Sequence, residues 1–315
     1  MNFRLLLIAI MVMLQFSSGG SSPVFEHRKF LSEGEVRPLR KAEIFNQDLH
    51  QGKLQIRYFN LESDKKSGDS ILIVSPDGKS MLIDAGIVAT GHKLNKYLND
   101  LSIDRIDVAV ATHPHHDHIG GYETILKTKQ IGTLLMPELP HTTSAYARFL
   151  NTIQKRNVTP TYVVAGNHFS LGKEVSVEVL SPSHEALEKA RKEKKLSTRY
   201  INNLSLVLKV TYRDQTFLFT GDIYKKQEEK LVNFKGEKLH VDLLDAPHHG
   251  KRTSSSNLFI QTVQPSYTVI SMNNLRSKRA YSRYEKTGSR VVSTGINGNI
   301  LIVSDGQSLT IKTER

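Results

Sequence analysis

At 315 residues the chain can bury one large core, and with no cysteine it has neither disulfides nor thiolate metal ligands. Its 43 lysines and arginines against 31 acidic residues favour anionic partners: nucleic acid, phosphate esters or an anionic membrane surface. That excess does not depend on residues 1–22, whose only charged side chain is Arg4.

Met1 to Arg4 opens positive, Leu5 to Phe16 is an apolar run, and Ser17 to Ser22 holds only serine and glycine. This reads as a secretory signal peptide over 1–22, too short for a comfortable membrane span. No later stretch is long and apolar enough to cross a bilayer. The expectation is an exported protein, periplasmic or secreted, without an integral span once the signal is removed. Residues 23–53 are polar and lack a clear period, and read as a mature N-terminal extension. Residues 54–315 read as one domain.

From Leu54 the pattern turns to strands. Leu54 to Phe59 largely alternates, and Ser67 to Ser70 is a turn before Ile71–Val74. Pro76-Asp77-Gly78-Lys79 is a tight turn into Met81–Gly86, with Asp84 at the strand end. Leu94, Tyr97, Leu98 and Leu101 then fall at helical spacing. A buried strand over 106–111 runs into Thr112-His113-Pro114-His115-His116-Asp117-His118-Ile119-Gly120-Gly121, and a helix can open at Tyr122. In this strand-to-helix loop, imidazoles at 113 and 115 on either side of Pro114 can chelate one divalent ion. Asp117 and His118 diverge and can serve a second.

Strand 131–136 and helix 146–156 continue a layered α/β alternation. A strand over 175–180 precedes the basic segment Lys189–Lys195, a solvated helix face or lid. A strand-like run over 202–210 pairs through Arg213-Asp214 with 216–219 and delivers Asp222 at its end. Val241 to Asp245 repeats the device, ending in Pro247-His248-His249-Gly250; either imidazole can face a metal. The donors of Lys251 to Ser256 suit a phosphate at a helix start, or a plain cap. A second basic run is Arg276–Arg279, next to strand 266–271. The segments 299–303 and 308–312 form a hairpin around Asp305-Gly306.

The H-x-H-x-D-H loop resembles the signature of the metallo-β-lactamase superfamily. Within it the chain is similar to the extracytoplasmic nuclease-type domain of ComEC competence proteins. The marks are Gly68-Asp69-Ser70, Leu82–Gly86, the histidine loop, Asn202–Leu208, Thr220-Gly221-Asp222 and Pro247–Gly250 with Thr253-Ser254-Ser255. The multi-helix channel of those proteins is not read in this sequence, and the expectation is that a role in pulling DNA through a membrane does not carry over.

The resemblance implies an α/β fold, the four-layer αββα sandwich, and two divalent ions, zinc or manganese. His113 and His115 would hold the first ion, while Asp117, His118 and His248, favoured over His249, would hold the second. Asp222 would bridge them, and Asp84 would support a ligand. Two such ions would supply a metal-bound hydroxide as nucleophile toward a phosphodiester, with Asp117 as the catalytic residue that would orient it. Many superfamily members place a histidine where this chain has Asn203, which weakens the first site or favours manganese over zinc; His184 is the alternative donor.

The reaction expected is phosphodiester hydrolysis on an anionic substrate, DNA or a nucleotide. The alternatives are a lactonase or other ester hydrolase on the same fold, and a catalytically decayed nucleic-acid-binding protein.

Overall fold

The structure is a computed structural model that describes residues 36–38, 41–62, 68–272 and 278–315. The expected signal peptide lies outside the described residues, as do 23–35 of the extension and the start of the Arg276–Arg279 run. Contacts divide the chain at 33/34, and every described residue belongs to the unit from Gly34 to Arg315.

In chain order the strands are β1 (Val36–Pro38), β2 (Leu54–Tyr58), β3 (Ile71–Val74), β4 (Ser80–Ile83), β5 (Arg105–Val110), β6 (Gln130–Met136), β7 (Pro160–Tyr162) and β8 (His168–Leu171). They continue as β9 (Val175–Ser181), β10 (Val207–Tyr212), β11 (Gln215–Phe219), β12 (Leu243–Asp245), β13 (Tyr267–Ile270), β14 (Arg290–Ser293), β15 (Ile300–Ser304) and β16 (Leu309–Thr313). One sheet has the order β1-β16-β15-β2-β3-β4-β5-β6-β7, the other β14-β13-β12-β11-β10-β9-β8. β4 to β7 run parallel, as do β11 to β14.

The two sheets bury their facing sides against each other. Ile56, Ile73 and Ile302 of the first meet Val177, Leu208 and Phe217 of the second in one apolar cluster. Helices cover the outer faces. Gly91–Asp100 turns Leu94, Tyr97 and Leu98 inward at the expected spacing, and packs with Tyr122–Thr128 and Ser144–Lys155 over the first sheet. Lys225–Lys235 and Asn257–Val263 cover the second with Leu231, Phe259, Ile260 and Val263. The result is the four-layer αββα sandwich. Among the described residues no helix is long and apolar enough to cross a membrane.

Two elements differ from the sequence expectation. β1 pairs in parallel with β16, so part of the segment read as an extension builds the edge of the first sheet. The run 202–210 is not one strand: Thr198–Asn202 is helical, and β10 begins at Val207. Ser197 decides this locally, its hydroxyl accepting from Tyr200 N at 3.2 Å as an N-cap. The Asp305-Gly306 hairpin is present, with Asp305 Oδ1 accepting from Gln307 N and Ser308 N.

Candidate metal centre

The parallel strands decide where the chemistry gathers. β4, β5, β11, β12 and β13 all deliver their carboxyl ends to one rim, where loops can converge while the sheets stay closed. Asp84 follows β4, the histidine loop follows β5, Asp222 follows β11, and His248 and His249 follow β12.

Asp222 is the hub. Its Oδ2 stands 3.9 Å from His113 Nε2, 3.5 Å from His118 Nε2 and 3.6 Å from His248 Nε2, and its Oδ1 stands 3.5 Å from His249 Nε2. Two ligands at about 2.1 Å on a tetrahedral ion are themselves about 3.4 Å apart, so these spacings suit a shared coordination shell. His113 Nε2, His118 Nε2 and Asp222 Oδ1 are buried without hydrogen-bond partners, a costly arrangement that a cation would relieve. Asp69, His118, Asp222 and His249 each offer an atom within 4.8 Å of the others'. The residues present fit a divalent metal.

Hydrogen bonds aim the ring nitrogens. Asp84 Oδ1 accepts from Thr112 N at 2.8 Å, and its Oδ2 accepts from the Thr112 hydroxyl at 2.7 Å and from His118 Nδ1 at 2.7 Å. With its proton so committed, the Thr112 oxygen accepts from His113 Nδ1 at 3.0 Å. His249 Nδ1 donates to the Ser271 carbonyl at 3.0 Å and faces Asp69 Oδ1 at 3.1 Å. All three rings therefore turn an unprotonated Nε2 inward when neutral.

The expected site residues fall as follows. His113, His118, Asp222 and His248 converge as described. The His115 ring lies edge-on to His113, with centroids 4.7 Å apart, and is partly open to solvent. Asp117 is buried at the start of the short helix His116–Ile119. Asn203 does not face the centre; its Oδ1 accepts from Tyr224 N, while Asn202 Nδ2 lies 3.4 Å from Asp222 Oδ2. The turn after the Thr198–Asn202 helix brings the preceding asparagine round. His184 is exposed on helix His184–Arg191 and pairs with Glu188 at 3.7 Å. It is no donor here.

Both His248 and His249 approach the Asp222 carboxylate. Their φ values of 50° and 55° place consecutive non-glycine residues in the left-handed region, which turns both rings toward Asp222. Such strain costs about 1–2 kcal/mol per residue and persists where the surroundings over-determine it. Those surroundings are visible. Arg283 donates to the carbonyls of Gly250, Ser254 and Ser255, and Glu228 accepts from Ser255 N and Ser256 N. Two of the donors expected to cradle a phosphate, Ser255 N and Ser256 N, are thus already occupied by a buried carboxylate.

Sequence reasoning missed Asp69, which reads there as a turn residue. Gly68 delivers it: at φ 67° a Cβ would fall 1.5 Å from the Asp117 carbonyl oxygen, so only glycine lets the two loops touch. His141 was missed too. Its ring is 5.6 Å from His115, and a lone histidine in a threonine-rich loop carries no pattern.

Burial and neighbouring charge divide the ionisable groups. Burial holds His113 well below its ordinary value and His115 and His248 down to about 4. Burial also opposes charge on His249, but Asp69 and Asp222 overcome it and raise the ring to about 9. His118 is likewise raised against its burial by Asp222 and Asp84. Burial would lift Asp222, yet the field of His249 and His118 holds it well below the carboxylate range.

Fold and site together define a metallo-hydrolase architecture. Residues 64–185 match the family model of the metallo-β-lactamase superfamily. The chain is similar to ComE operon protein 3 of Bacillus subtilis (28% identity over 261 residues, 75% of this chain and 32% of that protein). It is also similar to competence protein ComA of Neisseria gonorrhoeae (26% over 245 residues, 75% and 30%). The chain thus spans about a third of the length of these curated relatives. Among solved structures, Igni18, a metallo hydrolase from Ignicoccus hospitalis, aligns with a TM-score of 0.49 at 14% identity, covering 78% of this chain and 98% of that one.

Proposed function

We propose that the protein is an exported, metal-dependent phosphodiesterase acting on nucleic acid. The observation that carries this reading is the convergence of four imidazole Nε2 atoms on the buried Asp222 carboxylate. His113 and His115 would hold one divalent ion, zinc or manganese. Asp117, His118 and the His248-His249 pair, with Asp69, would hold a second, and Asp222 would lie between them. Bound metal supplies Lewis acidity and lowers the pKa of water. Asp117, held ionised by His118 against its burial and the repulsion of Asp222, orients the attacking water and receives its proton. Thr112 and Asp84 keep His113 and His118 in the ligating tautomer. The basic composition supports an anionic substrate, and the competence-type relatives support nucleic acid. Export rests on the Met1–Ser22 pattern.

The test is turnover of bis(p-nitrophenyl) phosphate and single-stranded DNA after chelation and re-addition of zinc or manganese. Metal-restored cleavage of both, abolished in a folded His115→Ala variant, is expected. Cleavage that survives chelation or the substitution overturns the proposal; two bound metals without cleavage would favour an ester hydrolase.

A further inference from the structure

Tyr224 stacks on His248, with ring centroids 4.8 Å apart, and the helix Lys225–Lys235 begins at the next residue. On one side of this junction lies a cavity of about 330 Å³ lined by Lys225, Arg252, Ser282, Arg283 and Lys286. On the other lies a cavity of about 310 Å³ whose lining includes Lys189, Lys226, Lys230, Tyr200 and Asn203, with Glu185 as its acid. The same segments hold the metal centre. Thr253, beside Arg252, has its hydroxyl 2.6 Å from His248 Nδ1 and its carbonyl bonded to Lys225 N. Asn203 accepts from Tyr224 N.

The cations of the first cavity share a single buried counter-charge, Glu228, which Lys225 feels across the first turn of its helix. Among the described residues Lys225, Arg252 and Lys286 form no ion pair, and Arg283 is fixed on three backbone carbonyls. The nearest acid on the helix, Glu228, is buried and spent on Ser255 N and Ser256 N. Like charges gathered around a cavity repel, and a phosphate between them turns that repulsion into attraction. A mononucleotide, a lactone or a small diester would leave these groups idle. Lys226 and Lys230 also share a helix face with Phe234, four residues apart in turn, and Phe234 is 81% exposed, as a stacking platform for a base would be.

We infer that the two cavities are subsites for the phosphates on either side of the scissile bond of a strand lying across the Tyr224–Gln227 junction. This rests on the phosphodiesterase reading of the metal centre. The strand's phosphates engage Lys225, Arg252 and Lys286 on one flank and Lys189, Lys226 and Lys230 on the other, and hold the scissile diester at Asp222.

The experiment compares the metal-loaded full chain with two variants, Lys225→Ala/Arg252→Ala/Lys286→Ala and Lys226→Ala/Lys230→Ala. The substrates are a 20-nucleotide DNA strand and bis(p-nitrophenyl) phosphate, from about 50 to 200 mM salt. The ratio of kcat/KM for the strand to that for the small diester should fall about 10- to 100-fold, mostly through KM. The slope of log affinity against log salt should flatten by about 0.7 for each cation removed. An unchanged ratio, or an unchanged slope, overturns the subsites. If the parent cleaves neither substrate, the phosphodiesterase reading fails by itself. Fluorescence anisotropy of the labelled strand then decides the subsites: salt-sensitive binding lost in the variants upholds them, and equal or absent binding overturns them.

Discussion

Asp84→Asn isolates the orientation of two imidazoles from their identity. The change is nearly isosteric, and asparagine tolerates the φ of 57° at this position. Thr112 N must still find an acceptor, so the amide oxygen stays where Oδ1 is and the NH₂ replaces Oδ2. That NH₂ faces the Thr112 hydroxyl and His118 Nδ1, both of which donate to the wild-type carboxylate. His118 must then accept at Nδ1 and carry its proton on Nε2, facing Asp222. The Thr112 hydroxyl, refused as a donor, turns to His113 Nδ1 and forces the same swap there. Losing such an orienting partner typically costs 10- to 100-fold in metal affinity, and two rings are affected here, so a loss of about 100-fold is expected. That is about 2.7 kcal/mol. Replacing the charge-assisted bonds costs the fold about 1.5–3 kcal/mol, a Tm fall of roughly 3–12 °C. Competition with a fluorescent chelator reads the first and circular dichroism the second. A folded Asp84→Asn protein with wild-type metal affinity would refute the tautomer argument.

Three other outcomes are expected. Glu228→Ala strands the buried Ser255 amide at about 1–3 kcal/mol and the half-buried Ser256 amide at less, and should lower the Tm while loosening metal binding through Thr253 and His248; an unshifted melt would count against the clamp. Lys251 Nζ lies 3.1 Å from His248 Nε2 and competes with a cation there, so Lys251→Ala should tighten metal binding roughly two- to fivefold by chelator titration. The metal-free protein should lose stability between pH 6.5 and about 9. His249 is raised to about 9 by Asp69 and Asp222, so its contribution is complete below the unfolded value and lost as pH climbs through the folded one. Melting the chelated protein across that window checks the sign, and a flat or rising Tm would contradict it.

Much of the fold was legible because its signals are local. The periods of Leu54–Phe59 and Leu94–Leu101 and the Asp305-Gly306 turn each follow from neighbours in the chain, and so does the histidine loop at the end of β5. Asp222 could be singled out for the same reason, as a carboxylate closing an apolar strand. What only the tertiary structure decided is which distant residues meet. Asp69 reads as a turn until Gly68 is seen against the Asp117 carbonyl, and Asn202 rather than Asn203 faces Asp222 because a capped helical turn precedes β10. Glu228 and Arg283 look like surface charges in sequence, yet they hold the turn that lets both His248 and His249 face one carboxylate. Periodicity records which face of an element is apolar. It carries no record of contacts between separate elements, and the polar groups that complete this centre are joined by such contacts, from Asp69 to His249, 180 positions apart, and from Asp84 to His118, 34 apart.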